Sequence, residues 1–590
     1  MLNILGVNAY HADAAACIIK DGELIFAVEE ERLNRVKHWA GFPVLSINAC
    51  LDSAELTLDD IDIIAFNSNP YANLLRKIAY TLRNQRSVKF VKSRLKNTRT
   101  RLNASKDFEI HFPGEQVSSK FRKVEHHRAH LASAYFASTF NKACVLSVDG
   151  FGDFSSSAWG LAHDNQVIID GYVHYPHSLG IFYQAITQYL GFKHYGDEYK
   201  VMGMAAYGNP LYIEQLQRVC LYRHSGKYEL DLEYFLHHTE QSTYGFESGL
   251  PVCSDFYSEK LISALGPARN VSEPIEQFHK DIACSAQIVY ERAFFNLCNR
   301  LYETYKTDNL ALSGGCAMNS LANGKIATHT PFKNVYIQAA AGDAGGAVGA
   351  AYSVAMENGA IQKNLQMTHA YWGPSYSDQQ YRDTISRYSK QLKEHECRLL
   401  TQADSNLLCA NVARAISSGY VIGWFQGKAE WGPRALGNRS ILADPRRTDM
   451  QELLNVKIKR RESFRPFAPS ILIEHLDQWF EQGNEVPFMG QVFMINKEKR
   501  SLIPAVTHVD GSGRLQTVSQ SSNYLFHQLI SKFYEITGVP VLLNTSFNEN
   551  EPIVCHPDEA IECFLRTKMD LLVMGNHLIC RGQIYTDVEN

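Results

Sequence analysis

Leu2-Asn-Ile-Leu-Gly-Val7 and Ala143-Cys-Val-Leu-Ser-Val148 open two stretches of the chain that share one order of elements. Each apolar run predicts a buried strand, and each is followed by a second strand, a tight turn and a third strand. The later strands are predicted over Ala14–Ile19, Glu23–Val28, Ser156–Ala162 and Gln166–Asp170. A strand, loop and hairpin unit that recurs after about 140 residues predicts a duplicated actin-like ATPase fold of the sugar-kinase and Hsp70 type.

The length of the chain predicts two domains. A chain of 590 residues is too long for a single hydrophobic core, because cores seldom grow beyond about 250–300 residues. The segment Trp372-Gly-Pro374 interrupts the regular patterns and indicates a linker region near residue 370. We therefore expect the duplicated actin-like domain over residues 1–368 and a smaller α/β domain over residues 369–590.

Charge and cysteine usage argue against several classes of protein. The formal net charge is -4 and the pI is about 6.6, which lacks the basic balance of nucleic-acid-binding proteins, so no nucleic acid is expected as a partner. The thirteen cysteines form no C-x-x-C pair, so neither a zinc ribbon nor a disulfide framework is indicated. No basic leader precedes Leu2 and no apolar run approaches ~18 residues, so we expect a cytoplasmic protein without membrane association.

A metal site is predicted around Val124-Glu-His-His-Arg-Ala-His130. If residues 126–139 are helical, His126 and His130 lie one turn apart on one face. Asp149 ends an apolar strand, and Asp343 lies in a Gly-Asp-Ala-Gly-Gly turn that opens a helix, so both carboxylates are placed to complete a ligand set. Imidazole with carboxylate oxygen suits Fe(II), Mn(II) or Zn(II). Taken alone, the two histidines are also consistent with ordinary hydrogen bonding on a half-buried helix.

Two glycine-rich segments predict a nucleotide site in the first domain. Glu198–Gly208 and Leu312–Ser320 are interpreted as loops, and the second lies between a strand and a helix. Glycines allow the backbone to approach a ligand, and a following helix N-terminus offers free N–H groups to phosphate or adenosine. The predicted adenylate-binding residues are Gly203, Gly314, Gly315, Asn319 and Gly342.

The second domain contains basic residues in rigid local sequence. Arg434 lies in the segment Glu430–Ser440, and Arg465 lies between Phe464 and Pro466. Guanidinium groups that are fixed in this way suit bidentate recognition of phosphate. The alternative is that both arginines only connect loops to the fold.

Six motifs together resemble the O-carbamoyltransferase family, which includes nodulation, cephalosporin and aminoglycoside carbamoyltransferases. The motifs are H-x-D-A-A-A from His11, E-E-E-R-x-x-R-x-K-H from Glu29, H-H-x-x-H from His126, V-M-G-M-A-A-Y-G, S-G-G-C-A-M-N and G-D-A-G-G. The resemblance extends from residue 2 to about residue 582. It implies that the N-terminal domain resembles tRNA threonylcarbamoyl transferase and that the C-terminal domain resembles threonylcarbamoyl-adenylate synthase.

The resemblance also implies an activity. The C-terminal domain is expected to convert carbamoyl phosphate and Mg-ATP to carbamoyl adenylate, and the N-terminal metal site is expected to transfer the carbamoyl group to a hydroxyl. Iron is favoured at that site, and His11, with Asp13 in the same loop, is a candidate proton acceptor. The C-terminal residues that match the family's motifs are Arg434, Lys459, Arg465, Arg514, Asn544, Ser546 and Asn548.

Other functions compete with this interpretation. A tRNA-modifying enzyme would be expected to have a basic surface, and a hydrogenase-maturation carbamoyltransferase would be expected to have C-x-x-C pairs and an acylphosphatase segment. A non-catalytic ATP-binding regulator would not need the metal ligands. The acceptor is expected to be a hydroxylated natural product, and residues 83–120 and 225–275 are expected to line its pocket. The sequence leaves open whether the protein forms a homodimer. The basic residues 83–123 are consistent with either a solvated helical insertion or a flap over the acceptor.

Overall fold

The computed structural model describes residues 2–83, 101, 103–114, 117–239, 244–359, 366–462, 464–481, 484–582 and 584. Contacts divide the chain into two units, Met1–Met367 and Thr368–Asn590. Residues 84–100, 102 and 115–116 of the predicted basic stretch lie outside the described residues, as do residues 240–243 of the second predicted acceptor segment. Within the described part, no helix is both long and apolar enough to cross a membrane.

Two five-stranded sheets form the framework of the first unit. The first sheet contains β1 (Ile4–Asn8), β2 (Ala15–Lys20), β3 (Glu23–Glu29), β4 (Ile63–Phe66) and β5 (Phe121–Lys123). The second sheet contains β6 (Lys142–Gly152), β7 (Ser155–His163), β8 (Gln166–His174), β13 (Asn309–Ser313) and β14 (Asn334–Ile337). Two small hairpins are formed by β9 (Cys220–Tyr222) with β10 (Tyr228–Leu230) and by β11 (Tyr244–Glu247) with β12 (Leu250–Cys253).

The two sheets have the same topology. The first has the strand order β3-β2-β1-β4-β5, and the second has the order β8-β7-β6-β13-β14. In the first sheet, β1 pairs antiparallel with β2 and parallel with β4. In the second sheet, β6 pairs antiparallel with β7 and parallel with β13. Asp21 and Gly22 both have positive φ, at 54° and 88°, as a tight hairpin turn requires. The predicted duplicated actin-like fold is confirmed.

The helices of the first unit include two that carry or follow predicted metal ligands. They are α1 (Glu31–Asn34), α2 (Val44–Ala54), α3 (Leu74–Arg83), α4 (Ala104–His111), α5 (His126–Ala137), α6 (Leu179–Tyr189), α7 (Glu198–Ala205), α8 (Ile213–Val219), α9 (Glu259–Leu265), α10 (Gln277–Tyr305), α11 (Ser320–Gly324), α12 (Ile326–His329) and α13 (Gly345–Glu357).

Helices α5 and α13 pack against each other at very short backbone distance. A Cβ atom on Gly349 of α13 would lie 1.8 Å from the carbonyl oxygen of Ala129 on α5, so only glycine fits there. A Cβ atom on Gly6 of β1 would likewise lie 2.3 Å from the carbonyl oxygen of Ala347. These contacts fix α13 against both α5 and the first sheet.

The second unit contains one mixed sheet of nine strands. They are β15 (Cys397–Thr401), β16 (Ile422–Phe425), β17 (Arg439–Ala443), β18 (Ala468–Leu472), β19 (Gln491–Met494), β20 (Ser512–Val518), β21 (Val541–Ser546), β22 (Leu571–Met574) and β23 (His577–Arg581). Their order is β15-β23-β22-β16-β17-β21-β18-β20-β19. The strands β17, β21, β18 and β20 therefore lie side by side, and they carry several of the predicted basic and polar site residues.

Helices cover this sheet and enclose an apolar core. They are α14 (Asp378–Arg387), α15 (Ser389–Glu394), α16 (Ser405–Ser417), α17 (Met450–Leu453), α18 (Leu476–Trp479), α19 (Tyr524–Thr537) and α20 (Pro557–Arg566). Apolar residues of α16 and α19, among them Val412, Ile416, Leu529 and Phe533, are buried with the strands. The second unit is thus an α/β domain.

Candidate functional site

Helix α5 places two histidines side by side. The Glu125 side chain caps the helix by accepting a hydrogen bond from the Arg128 amide at 2.7 Å, and Asp153 accepts one from the His126 amide at 3.0 Å. Both caps fix the first turn, where His126 begins the helix. One turn later, His130 brings its Nε2 atom to 3.0 Å from the Nε2 atom of His126. The predicted spacing of the pair on one helical face is therefore present in the structure.

Two aspartates complete a four-residue cluster with these histidines. Asp149 projects from β6, and its Oδ2 lies 3.1 Å from the Nε2 of His126. Asp343, in the turn between β14 and α13, has its Oδ1 3.6 Å from the Nε2 of His126 and 3.4 Å from that of His130. One ligand atom from each of the four residues lies within 4.8 Å of the other three. The structure thus brings together all four predicted metal ligands.

The two buried carboxylates of the cluster favour the binding of a cation. Both histidines are fully buried, and the Asp149 and Asp343 side chains are only 10% and 13% exposed. Burial raises the pKa of Asp343, and the negative charge of Asp149 raises it further. Burial alone lowers the pKa of His130, but the two carboxylates outweigh it and raise that pKa to about 9. A divalent ion would satisfy both carboxylates at once.

The unused polar atoms of the cluster also fit a metal. Within the described residues, the Oδ1 atom of Asp343 is buried without a hydrogen-bond partner. It faces both imidazole Nε2 atoms, whereas the other carboxylate, that of Asp149, accepts a hydrogen bond from the Gly315 amide at 2.8 Å. Two imidazoles and two carboxylates form a donor set that suits Fe(II), Mn(II) or Zn(II).

Glycines surround the cluster because side chains would not fit. A Cβ atom on Gly152 would lie 1.9 Å from Cδ2 of the His126 ring, and one on Gly315 would lie 2.7 Å from Oδ1 of Asp149. Gly314 has a φ of +89°, which favours glycine, and its Cβ would lie 2.3 Å from the carbonyl oxygen of Val148. Of these two glycines predicted to bind adenylate, Gly315 thus lies directly at the carboxylate of Asp149, and Gly314 lies against the backbone of Val148.

The other predicted adenylate-binding residues have mixed positions. Gly342 immediately precedes the ligand Asp343. Asn319 caps helix α11 by accepting from the Ala322 amide at 3.1 Å, and it also bonds to Gln287. Gly203 lies inside helix α7, so the predicted loop over Glu198–Gly208 is helical for most of its length, which is a correction. The alanines and methionines of that segment are good helix formers and outweigh its glycine.

His11 lies at the cluster, whereas Asp13 belongs to a neighbouring group. The ring of His11 stacks on that of His126 with centroids 4.8 Å apart, and its Nδ1 lies 3.9 Å from Oδ2 of Asp343. Burial and the charge of Arg101 hold the pKa of His11 well below its usual value, so the ring is neutral. Asp13 instead lies 2.8 Å from Nδ1 of His38.

His38 forms a second polar group that the sequence motifs contained but did not assign. Asp13, Glu31 and His38 place one ligand atom each within 4.8 Å of one another. Burial lowers the pKa of His38, but Asp13 and Glu31 outweigh it and raise that pKa to about 9. The E-E-E-R-x-x-R-x-K-H motif contains both Glu31 and His38, and this spacing was the available signal.

In the second unit, three arginines lie close enough to Arg514 for their charges to act on it. Burial lowers the pKa of Arg514 on β20 well below that of an ordinary guanidinium, and the charges of Arg434, Arg461 and Arg465 lower it further. Within the described residues its Nε atom is buried without a hydrogen-bond partner. Arg465 also forms an ion pair with Glu462, at 3.4 Å. A bound anion would further offset the repulsion that the buried Arg514 experiences. Arg461 was not among the predicted residues, although it lies in the same K-x-R-E motif as Lys459.

Lys459 fastens the Leu543–Asn548 segment beneath these arginines. Its buried ammonium group donates to the carbonyl oxygen and hydroxyl of Ser546 and to both the carbonyl and side-chain oxygens of Asn548. Burial, together with the charges of Arg461 and Arg465, lowers the pKa of Lys459. Lys459, Ser546 and Asn548 are therefore brought together as predicted, and they use much of their hydrogen-bonding capacity on one another.

Asn544 and Glu430 hold the loop that carries Arg434. The Asn544 amide donates to the carbonyl oxygen of Ala435 at 3.3 Å. One carboxylate oxygen of Glu430 accepts from the backbone amides of Leu436, Asn438 and Arg439 at 2.8, 2.8 and 3.0 Å. Such convergent bonds fix a loop. The predicted Arg434 is thus presented by a loop of defined shape.

Arg439 is a buried structural arginine near the same loop. Its side chain has 0% exposure, and its guanidinium lies 3.7 Å from the centre of the Phe425 ring. It donates to the carbonyl oxygens of Gln426, Asn438, Gly427 and Pro374. With these partners it stabilises the fold rather than a ligand.

Comparisons with known proteins identify the family of the chain. Residues 3–352 match the model of the carbamoyltransferase N-terminus, and residues 413–581 match that of the carbamoyltransferase C-terminus. An uncharacterized protein of Synechocystis sp. is 38% identical, over 98% of this chain and 97% of its own. The nodulation protein NolNO of Sinorhizobium fredii is 36% identical, over 97% of this chain and 79% of its own.

A relative with a named reaction matches part of the chain. The 3'-hydroxymethylcephem-O-carbamoyltransferase of Amycolatopsis lactamdurans is 34% identical, over 43% of this chain and 47% of its own. The family models together cover most of the sequence, which confirms the resemblance inferred from the motifs. The chain therefore belongs to the O-carbamoyltransferase family and is a carbamoyltransferase.

Proposed function

We propose that the protein is an ATP-dependent O-carbamoyltransferase with one half-reaction in each unit. The second unit converts carbamoyl phosphate and Mg-ATP to carbamoyl adenylate, and the first unit transfers the carbamoyl group to a hydroxyl of a small-molecule acceptor. The observation that carries this proposal is the buried cluster of His126, His130, Asp149 and Asp343, which supplies a metal site inside a carbamoyltransferase domain.

The first unit would hold the ion with those four side chains. A divalent ion, for which Fe(II) is our first choice, supplies Lewis-acid chemistry that makes a hydroxyl easier to deprotonate and orients it. The neutral ring of His11 is the group placed to accept the hydroxyl proton, since its Nε2 is buried without a hydrogen-bond partner among the described residues. Gly315 keeps a side chain away from the carboxylate of Asp149, which leaves room there for the carbamoyl group of the adenylate.

The second unit would bind two phosphate-containing substrates. Arg434, Arg461 and Arg465 are close enough to Arg514 for their charges to lower its pKa, and bound phosphate oxygens would offset that repulsion. Lys459, Asn544, Ser546 and Asn548 support the loops that present the arginines. Water first displaces the phosphate of carbamoyl phosphate, which gives carbamate and inorganic phosphate. Charge neutralisation by the arginines then favours attack of a carbamate oxygen on the α-phosphate of ATP, with pyrophosphate as the leaving group.

The acceptor is proposed only by class. The cephem relative acts, by its name, on a hydroxymethyl group, so a small molecule with an accessible hydroxyl is the acceptor that we propose here. A transferred carbamoyl group replaces the hydroxyl hydrogen, and AMP leaves with the electron pair of the broken acyl–oxygen bond. Because carbamoyl adenylate is an anhydride that water destroys, we expect the transfer to occur in a site from which water is excluded.

The test separates the two half-reactions. Substitution His130→Ala removes one ligand, so the protein should lose its metal and its carbamoyl transfer while carbamoyl-phosphate-dependent release of pyrophosphate continues. Metal content is measured by mass spectrometry after loading with Fe(II) under anaerobic conditions. His163→Ala, at a partly exposed position of the same unit, is the matched control. Unchanged metal content in the His130 variant would remove this residue from the site.

A further inference from the structure

His508 lies next to the arginine cluster in the segment His508-Val-Asp-Gly-Ser-Gly-Arg514. The His508 amide donates to the carbonyl oxygen of Ser512 at 2.7 Å, and the Gly511 amide donates to that of His508 at 2.8 Å, so the segment closes as a tight turn. Side chains alternate along a strand, so Ser512 and Arg514 share one face of β20. His508 contacts Ser512 and therefore lies on the side of the sheet that carries Arg514.

Hydrogen bonds in this turn decide which nitrogen of His508 carries the proton. The Ser512 hydroxyl donates to Oδ1 of Asp510 at 2.6 Å. Because the Ser512 hydroxyl hydrogen is used in this bond, the Ser512 oxygen can only accept a hydrogen bond from Nδ1 of His508, which lies 3.1 Å away. The Nδ1 atom therefore holds the hydrogen, and Nε2 has a free lone pair.

The free lone pair is buried and has no hydrogen-bond partner in the described part of the chain. Burial lowers the pKa of His508 to about 4 despite the charge of Asp510, and Arg514 lowers it as well, so the ring stays neutral. A buried acceptor without a donor is costly, and a lone pair repels phosphate oxygens. A ligand with an N–H group close to its own phosphate would therefore suit Nε2 of His508 and the neighbouring Arg514.

We propose that Nε2 of His508 accepts a hydrogen bond from the amino group of carbamoyl phosphate and thereby selects this donor. The inference rests on the proposed function and deepens it. In carbamoyl phosphate only the carbonyl carbon and the bridging oxygen separate the amino nitrogen from phosphorus, which fits the proximity of His508 to Arg514. The amino group of ATP lies on the adenine ring, beyond the ribose. Acetyl phosphate has a methyl group where the N–H would be.

The test compares the binding of two acyl phosphates to the full-length protein by calorimetry. His508→Leu removes the acceptor, and we expect its dissociation constant for carbamoyl phosphate to rise roughly five- to tenfold. The constants for acetyl phosphate and ATP should stay the same, because neither uses Nε2. His508→Gln offers a neutral amide oxygen and should restore most of the affinity. His395→Gln, at an exposed position of the same unit, is the matched control.

A structural role for His508 would give a different pattern. If the Leu variant bound carbamoyl phosphate, acetyl phosphate and ATP all more weakly, or bound only ATP more weakly, the proposal would be overturned. Should the Leu variant fail to fold by its melting curve, Ser512→Ala provides the second test. It removes the group that orients Nδ1, and should lower the preference for carbamoyl over acetyl phosphate. Failure of the wild-type protein to release pyrophosphate would contradict the proposed function, whereas the binding ratio tests His508 independently.

Discussion

The substitution Gly152→Ala should disable the metal cluster although it leaves all four proposed ligand residues unsubstituted. The new Cβ atom would lie 1.9, 2.1 and 2.4 Å from Cδ2, Cγ and Nε2 of the His126 ring. Normal carbon–carbon contact is about 3.5 Å, so the ring must move by roughly 1.5 Å. It cannot turn aside easily, because it is fully buried and stacked on His11.

A movement of this size is large on the scale of metal coordination. Ligand distances must hold within about 0.2 Å, so the expected displacement exceeds the tolerance severalfold. Loss of correct ligand orientation costs ten- to a hundredfold in metal affinity even when only a supporting residue is changed. We therefore expect the Gly152→Ala protein to bind Fe(II) or Zn(II) at least about a hundredfold more weakly than the wild type.

The chain provides a close control for this experiment. A Cβ atom on Gly150, two residues earlier on the same strand, would meet nothing within 4 Å, so Gly150→Ala should keep the wild-type metal affinity. Competition with a coloured chelator gives the dissociation constants, and pyrophosphate release from the second unit shows that each variant is folded. Equal metal affinity in the Gly152 and Gly150 variants would refute the reasoning, because it would mean that His126 is not held in place as a ligand.

Three further predictions concern other parts of the molecule. Arg465→Lys and Arg434→Lys should each reduce carbamoyl-phosphate-dependent ATP turnover roughly ten- to a hundredfold, because lysine cannot replace a bidentate guanidinium, while transfer from supplied carbamoyl adenylate persists. Arg439→Leu should lower the free energy of unfolding by about 3 kcal/mol, measured with urea, because it removes the buried guanidinium that donates to four carbonyl oxygens and packs on the Phe425 ring. His38→Gln should remove a stabilisation that is complete below the usual histidine pKa of 6.5 and is lost as the pH rises through about 9.

Each of these predictions has a result that would contradict it. Unimpaired ATP turnover in either lysine variant would remove that arginine from the phosphate site. The exposed Arg414→Leu is the control for Arg439 and should change stability by less than about 0.5 kcal/mol. If unfolding measured from pH 6 to pH 10 has the same slope in the wild type and the His38 variant, His38 is not charged in the folded protein.

The sequence predicted the framework well because the framework is made of local patterns. The strands of both hairpins were placed within a few residues of their bounds, since each is a short apolar run closed by turn residues such as Asp21-Gly22. The helix predicted over residues 126–139 ends at Ala137, where Ser138 takes up an extended conformation. The repeat of these local patterns was enough to identify the duplicated fold.

Side-chain partners across long separations were harder to predict. Asp13 stands two residues from His11, yet the structure pairs it with His38, and no periodicity in the sequence indicates that choice. Lys459 was predicted to bind phosphate, and its contacts to Ser546 and Asn548 join segments that are 87 and 89 residues apart in sequence. His508 was overlooked because a lone histidine in a polar turn carries no spacing signal, and only burial of its Nε2 draws attention to it.

Contact between α5 and α13 has a consequence for the lifetime of the protein. These helices carry or directly follow three of the four proposed ligands, and their glycine-dependent packing joins the two halves of the first unit. An ion bound only by the native form adds about 2.7 kcal/mol to stability when its free concentration is a hundredfold above the dissociation constant. In a cell short of the metal, the protein loses this added stability. A larger fraction of the chain is then unfolded at any moment, and proteases degrade it faster. Metal supply would then set the amount of enzyme as well as its activity.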